Sequence, residues 1–299
     1  VNSDATTYSN VAVKLDVTYD SDMQTDFDDL RFTDSTGTGL TPYWIERYSA
    51  GVSADVWVQI ASLAADDVTE IYMYYDNVSA TTTSTSTSVF NIVDDFEGDE
   101  IDEYSGDTSL FNTDSTFAFG GGFGLDTAGN ETERADDGIF RPTSTISQGE
   151  IIRYMQYIDT VAGSGNEACT LFAVQNPGTD NNNYGVCLEL FLTDRMSLVK
   201  NAESTDSYGG VSVLGSTTVT YSTGWYEVEI DWQTDNTIDV ALYTEAGALV
   251  ATTSANDSSY SSGGFGFTYW DYHGGWDSFT SRPRVDTEPT IYFGAEQLE

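Results

Sequence analysis

Residues 94 to 107 read DDFEGDEIDEYSGD, and Glu100, Asp102 and Glu103 sit close enough together to suggest acid–base chemistry at a glycosidic bond. In its retaining form that chemistry needs two carboxyl groups about 5 Å apart on one face. Side chains alternate along an extended strand, so Glu100 and Asp102 share a face while Glu103 points the other way. Gly98 and Gly106 flank the segment and mark it as a loop. A second acidic run, Glu227, Glu229 and Asp231 in YEVEIDW, does share one strand face, opposite an apolar face of Tyr226, Val228, Ile230 and Trp232. Read from Glu229 and Asp231, a Glu-x-Asp-x-x-Glu spacing would put a further acid at position 234, where Thr234 stands. No catalytic residue is assigned in either run. His273 is the sole histidine, so a Ser-His-Asp or Cys-His arrangement has no second candidate base, and no zinc set of His and Cys can be assembled.

These acids belong to a chain with 49 Asp plus Glu against 10 Lys plus Arg, a net charge of -39. Lys14 and Lys200 are its only lysines. Such charge opposes compaction, yet 39% hydrophobic and 13% aromatic residues supply real cores, unlike a disordered polyanion. In molar salt the Debye length falls to about 3 Å and the repulsion is screened. The composition therefore reads as halophilic, from a haloarchaeon or a virus of one. Clustered Lys and Arg are absent, which excludes nucleic acid as a partner. No apolar run reaches the roughly eighteen residues of a membrane span. The start VNSDATTYSN has no Met and no visible signal peptide, and implies upstream processing or, preferably, a longer polypeptide.

Strand signals dominate: residues 11–18, 43–48, 55–60, 70–75, 151–158, 168–174, 184–192, 225–232 and 237–243 are apolar or alternating and bounded by Gly, Asn, Asp and Ser. No helical period lasts beyond about two turns. The class is all-β, with two β-sandwich domains. The tract SATTTSTSTS reads as a linker over 79–88, between a small domain at 1–78 and a larger one at 89–299. Cys169 and Cys187 lie in two strands flanking NPGTDNNN; a hairpin closing symmetrically on that turn sets them opposite, as a disulfide or as two buried thiols. Asn77, Asn130 and Asn256 head Asn-x-Ser/Thr sequons, candidate glycosylation sites if the chain is extracellular.

DLRF, PYWIE, VWVQI and IYMYYDN, in that order over residues 29–77, resemble a domain family of unknown function found at the start of archaeal and bacterial surface proteins. Its usual Met-Tyr-Tyr-Gly-Asn ending has Asp76 in place of Gly here, which bears on the local turn. The rest of the chain resembles a concanavalin-like, laminin-G-like jelly roll. VFNIVDDFEG is similar to its opening strand, GWYEVEIDWQTDNTIDVALYTEAGALV to its characteristic strand pair, and TEPTIYFGAEQ to its closing segment. This resemblance implies a structural Ca²⁺ held by Asp95 and Asp277, with oxygen ligands suited to that ion. The acidic runs resemble a glucanase signature, but the resemblance to the jelly roll puts no active site at residues 94–107.

The stretch FGFTYWDYHGGWDSF concentrates flat polar-edged side chains, and Tyr269, Trp270, Tyr272, His273 and Trp276 are its ligand-binding candidates. Phe265, Phe267 and Tyr269 alternate, so part of the set belongs to a core. The expectation is a non-enzymatic, extracellular surface module that recognises a glycan or protein receptor as part of a cell-surface filament or a virion fibre, forming a homo-oligomer or a larger assembly. Its rivals are a purely structural subunit and a glycoside hydrolase using Glu227 or Glu229.

Overall fold

A computed structural model describes residues 1–98, 100–127, 138–160, 166–176, 182–190, 193–201 and 211–296. The fold is all-β and divides into two compact units, Val1–Asn91 with Arg282–Glu299, and Ile92–Ser281. These limits differ from the sequence reading in two ways: the segment after residue 281 belongs with the first unit, and the Ser/Thr tract is part of that unit. Among the described residues no helix is long and apolar enough to cross a membrane.

The first unit packs a sheet of β1 (Tyr8–Thr18), β4 (Ser53–Leu63) and β3 (Tyr43–Ser49) with a ribbon of β2 (Arg31–Asp34) and β5 (Ile71–Tyr74). Val13, Leu15 and Val17 pair with Val58, Val56 and Ala54, and this shared parity gives the sheet one apolar face. That face buries Phe27, Leu30, Phe32 and Val285 from outside the sheet. Asp29 of DLRF is 2% exposed and ties the unit's turns together. Its Oδ1 accepts the Gln24 N–H at 3.0 Å, and its Oδ2 accepts those of Asp76 and Asn77 at 2.9 and 3.3 Å. Asp76 itself has φ 73°, the left-handed conformation that the expected glycine adopts freely.

The tract at 79–88 runs alongside β3 instead of hanging free. Ser84 Oγ accepts the Ile45 N–H at 2.7 Å, and Thr85 N–H reaches the Tyr43 carbonyl at 2.9 Å. Arg31 Nη2 holds the Thr81 carbonyl at 2.7 Å. Hydroxyl-rich residues with little apolar surface read as a linker, but they also satisfy the bonding groups of an edge strand.

The second unit is a two-sheet sandwich. Its strands are β6 (Ile92–Asp94), β7 (Ser105–Gly106), β8 (Asn112–Asp114), β9 (Gly124–Asp126), β10 (Ile139–Ser147), β11 (Glu150–Ile158), β12 (Asn166–Val174), β13 (Tyr184–Leu190), β14 (Arg195–Lys200), β15 (Ser212–Thr218), β16 (Gly224–Trp232), β17 (Thr237–Thr244), β18 (Leu249–Asn256), β19 (Ser262–Trp270) and β20 (Gly274–Pro283). One sheet runs β15-β14-β13-β12-β19-β10-β7; the other runs β18-β17-β16-β11-β20-β9-β8, with β6 also on β20. The pairings between β10 and β19, β11 and β16, β12 and both β13 and β19, β13 and β14, β16 and β17, and β6 and β20 are antiparallel. The core between the sheets is aromatic: Phe172 meets Trp232 at 5.4 Å, Phe267 meets Trp276 at 5.3 Å, and Phe265 stacks on Phe279 at 4.2 Å.

This core absorbs three of the proposed ligand-binding aromatics. Tyr269, Tyr272 and Trp276 are fully buried. β19 and β20 are interior strands of opposite sheets, so their alternate side chains face each other across the sandwich. The Tyr269 hydroxyl donates to the Leu110 carbonyl at 3.0 Å, and that of Tyr272 is bonded to the Tyr157 carbonyl.

Candidate ligand-binding face

The other face of the seven-stranded sheet carries a line of polar side chains. Adjacent-strand register sets Arg195 opposite Glu189, Glu189 opposite Glu167, and Glu167 opposite Trp270, from β14 to β19. All four share parity with Cys169, Cys187, Leu171 and Val199, which form a small buried cluster on this face. Directly opposed residues in antiparallel strands have Cβ atoms about 5 Å apart, so the row is continuous.

Charge in this row does not balance. Arg195 Nε binds Glu189 Oε2 at 2.6 Å, and the Glu189 side chain is only 3% exposed. Among the described residues Glu167 has no ion pair of that kind. Part of its side chain meets solvent, but burial, and then the charge of Glu189, push its carboxyl up to about 7 despite the attraction of Arg195. Glu167 Oε1 lies 3.4 Å from Cys169 Sγ, and Cys169 is joined to Cys187 in a disulfide. Glu167, Cys169 and Cys187 bring potential ligand atoms within 4.8 Å of one another, but sulfurs bonded to each other offer no thiolate, so the group does not fit a metal ion. In the next row Ser197 is fully buried, and its Oγ has no hydrogen-bond partner.

The sequence candidates are scattered around this face. Trp270 joins the row and is half-buried. His273, also half-buried, lies after β19: its Nδ1 is 2.8 Å from Asp159 Oδ2, and its ring meets Phe117 edge-on at 5.3 Å. Thus Trp270 faces outward from one sheet while Trp276 fills the core from the other, and the five do not form one patch.

Asp277 is buried and holds backbone. Its Oδ2 accepts the Phe119 and Gly120 N–H groups at 2.6 and 3.0 Å, and its Oδ1 accepts that of Ser278 at 2.6 Å. Among the described residues neither Asp95 nor Asp277 belongs to a cluster of three ligating side chains. These three N–H donors give the Asp277 carboxylate a structural role in holding the turn at Phe119 and Gly120. The engaged neighbour is Asp94, 2.6 Å from Arg141 Nη1 and 2.5 Å from the Tyr104 hydroxyl. Residues 100–103 form a short 3-10 turn in which Glu103 pairs with Arg141; the side chain of Glu100 lies outside the described residues. Glu227 faces away from the core and binds Arg153 at 2.6 Å. Asn77 is exposed; the Asn256 amide donates to Asp235 O at 3.2 Å and Thr237 Oγ1 at 3.3 Å; Asn130 lies outside the described residues.

Residues 26–117 match the Domain of unknown function (DUF2341), a span containing DLRF, PYWIE, VWVQI and IYMYYDN. No curated protein matches the sequence. Solved structures similar to the chain include a GH43 glycoside hydrolase with an engineered active site, at 12% identity and a TM-score of 0.46, covering 85% of this chain and 54% of that one. Others are a legume lectin-like domain from Entamoeba histolytica, at 8% identity, TM-score 0.41 and coverage of 59% and 91%, and lectin II from Ulex europaeus, at 11%, 0.40, 64% and 99%. The chain spans about half the length of the glycoside hydrolase. The two-sheet topology itself defines the concanavalin-like sandwich.

Proposed function

We propose that the second unit is a carbohydrate-recognition domain, non-enzymatic and displayed outside the cell or on a virion, and that the outer face of its seven-stranded sheet receives the sugar. The observation that carries this reading is the row Arg195, Glu189, Glu167 and Trp270. An indole face suits the apolar C–H face of a pyranose, while carboxyl and guanidinium groups bond its hydroxyls. Hydrolysis is not part of the proposal: within the row Glu189 is almost wholly enclosed and held by Arg195.

The test is a glycan array probed in molar NaCl with the whole chain and with Trp270→Ala. The parent should bind a defined set of glycans and the variant about tenfold more weakly, equivalent to about 1.4 kcal/mol. A parent that binds nothing, or a variant that binds as well as the parent, overturns the reading. Absence of binding together with a defined oligomer would favour a structural subunit.

A further inference from the structure

Resting on that reading, we propose that Glu167 works in this face as a carboxylic acid that gives its hydrogen bond to a ligand oxygen, making recognition of uncharged sugars proton-dependent. The geometry leaves two carboxyl groups and one guanidinium. β12 and β13 set Glu167 opposite Glu189, and β14 sets Arg195 between Glu189 and the uncharged Thr218 of β15. Arg195 is committed to Glu189 at 2.6 Å. Two adjacent carboxylates sharing one cation cannot both ionise cheaply away from water, so the one without the close partner keeps its proton.

The sulfur contact points the same way. Cys169 Sγ carries no hydrogen because it is bonded to Cys187, so at 3.4 Å it gives Glu167 Oε1 no hydrogen bond that would favour the ionised form. The raised affinity of Glu167 for its proton agrees with both observations. Among the described residues, the ionisable groups bearing on it are Glu189 from β13 and Arg195 from β14; on the flanking strands Trp270, Thr268 and the disulfide do not titrate. Behind Glu189 stand Asp194 and Tyr221, whose hydroxyl donates to the Arg195 carbonyl at 2.9 Å. A protonated carboxyl offers a ligand one donor and one acceptor; the ionised form offers only acceptors and repels the hydroxyl lone pairs it formerly bonded.

The experiment measures the dissociation constant of the strongest array glycan at about pH 5.5 and about pH 8.5 in molar NaCl, for the parent and for Glu167→Gln. With a pKa of about 7, the protonated fraction at the higher pH falls about thirtyfold, and parent affinity should fall with it. Glutamine keeps an N–H donor at every pH, so its binding should be equal at both. Parent affinity that is unchanged between the two values overturns the inference while leaving recognition intact; absence of binding at both overturns recognition itself. A Gln variant that retains the parent's pH loss assigns the proton elsewhere and also overturns the inference. Infrared difference spectra of the unliganded chain give an independent reading. The protonated-carboxyl C=O band near pH 5.5 should be lost by about pH 8.5 and be weaker in Glu167→Gln by about one carboxyl group. A parent without that band near pH 5.5 overturns the inference.

Discussion

A carboxyl group that keeps its proton through burial ties the stability of the fold to pH in the sense opposite to most acids. Glu167 has a folded pKa of about 7 against an ordinary 4.5, so between these values the folded chain binds the extra proton. Its contribution is fully present below the unfolded pKa and is lost as pH rises through the folded one. Thermal melts across that window should show the parent losing stability with rising pH and Glu167→Gln losing less. Asp257 acts in the other direction: burial raises its pKa, but bonds from Lys200, Ser259 and Tyr184 outweigh this and hold it well below the ordinary range. Its contribution is present above the unfolded pKa and lost as pH falls through the folded one, and Lys200→Met should weaken that acid sensitivity. In the first unit, Asp29→Ala strands three backbone N–H groups in a buried site, and chemical denaturation should register a loss of about 3 kcal/mol. Asp76→Gly should give the reverse, a gain of about 1 kcal/mol, since it relieves a left-handed backbone without removing a side chain that Asp29 uses.

Elements explain what the sequence made legible and what it hid. Each of the nine alternating or apolar runs holds a strand, with residues 191–192 outside the described residues, because period-two patterning is imposed by the pleat itself. Short strands such as Ser105–Gly106 and Gly124–Asp126 have too few residues to show a period. Parity exposed Phe265, Phe267 and Tyr269 as a core row but could not show that the turn after β19 delivers Trp276 to the opposite sheet. The polar row was written in the sequence as mirror symmetry: Glu167 lies two residues before Cys169 and Glu189 two after Cys187, so a hairpin pairing the cysteines also pairs the acids. In a chain with 49 acidic residues that signal has little contrast. The bridge across this hairpin closes a separation of 18 residues, and its reduction should cost about 3 kcal/mol in denaturant unfolding if chain entropy governs. Asp277→Ala should release the turn at Phe119 and Gly120, seen as faster amide exchange there with the sandwich core unchanged.

At the scale of the molecule, a charge of -39 makes added salt a stabiliser. Melting temperature should climb from dilute buffer to molar NaCl as self-repulsion is screened; a flat response would remove the halophilic reading. Chain path matters at this scale too. Val1 and Thr290 exchange two bonds, its terminal amine to the Thr290 carbonyl at 2.7 Å and the Thr290 N–H back at 3.0 Å. The chain leaves for the second unit at Ile92 and returns at Ser281, which are register partners across β6 and β20. A pull applied between Val1 and Thr290 therefore reaches those two bonds before anything else. The second unit, inserted through one pair of neighbouring strands, stays slack until the first has unravelled.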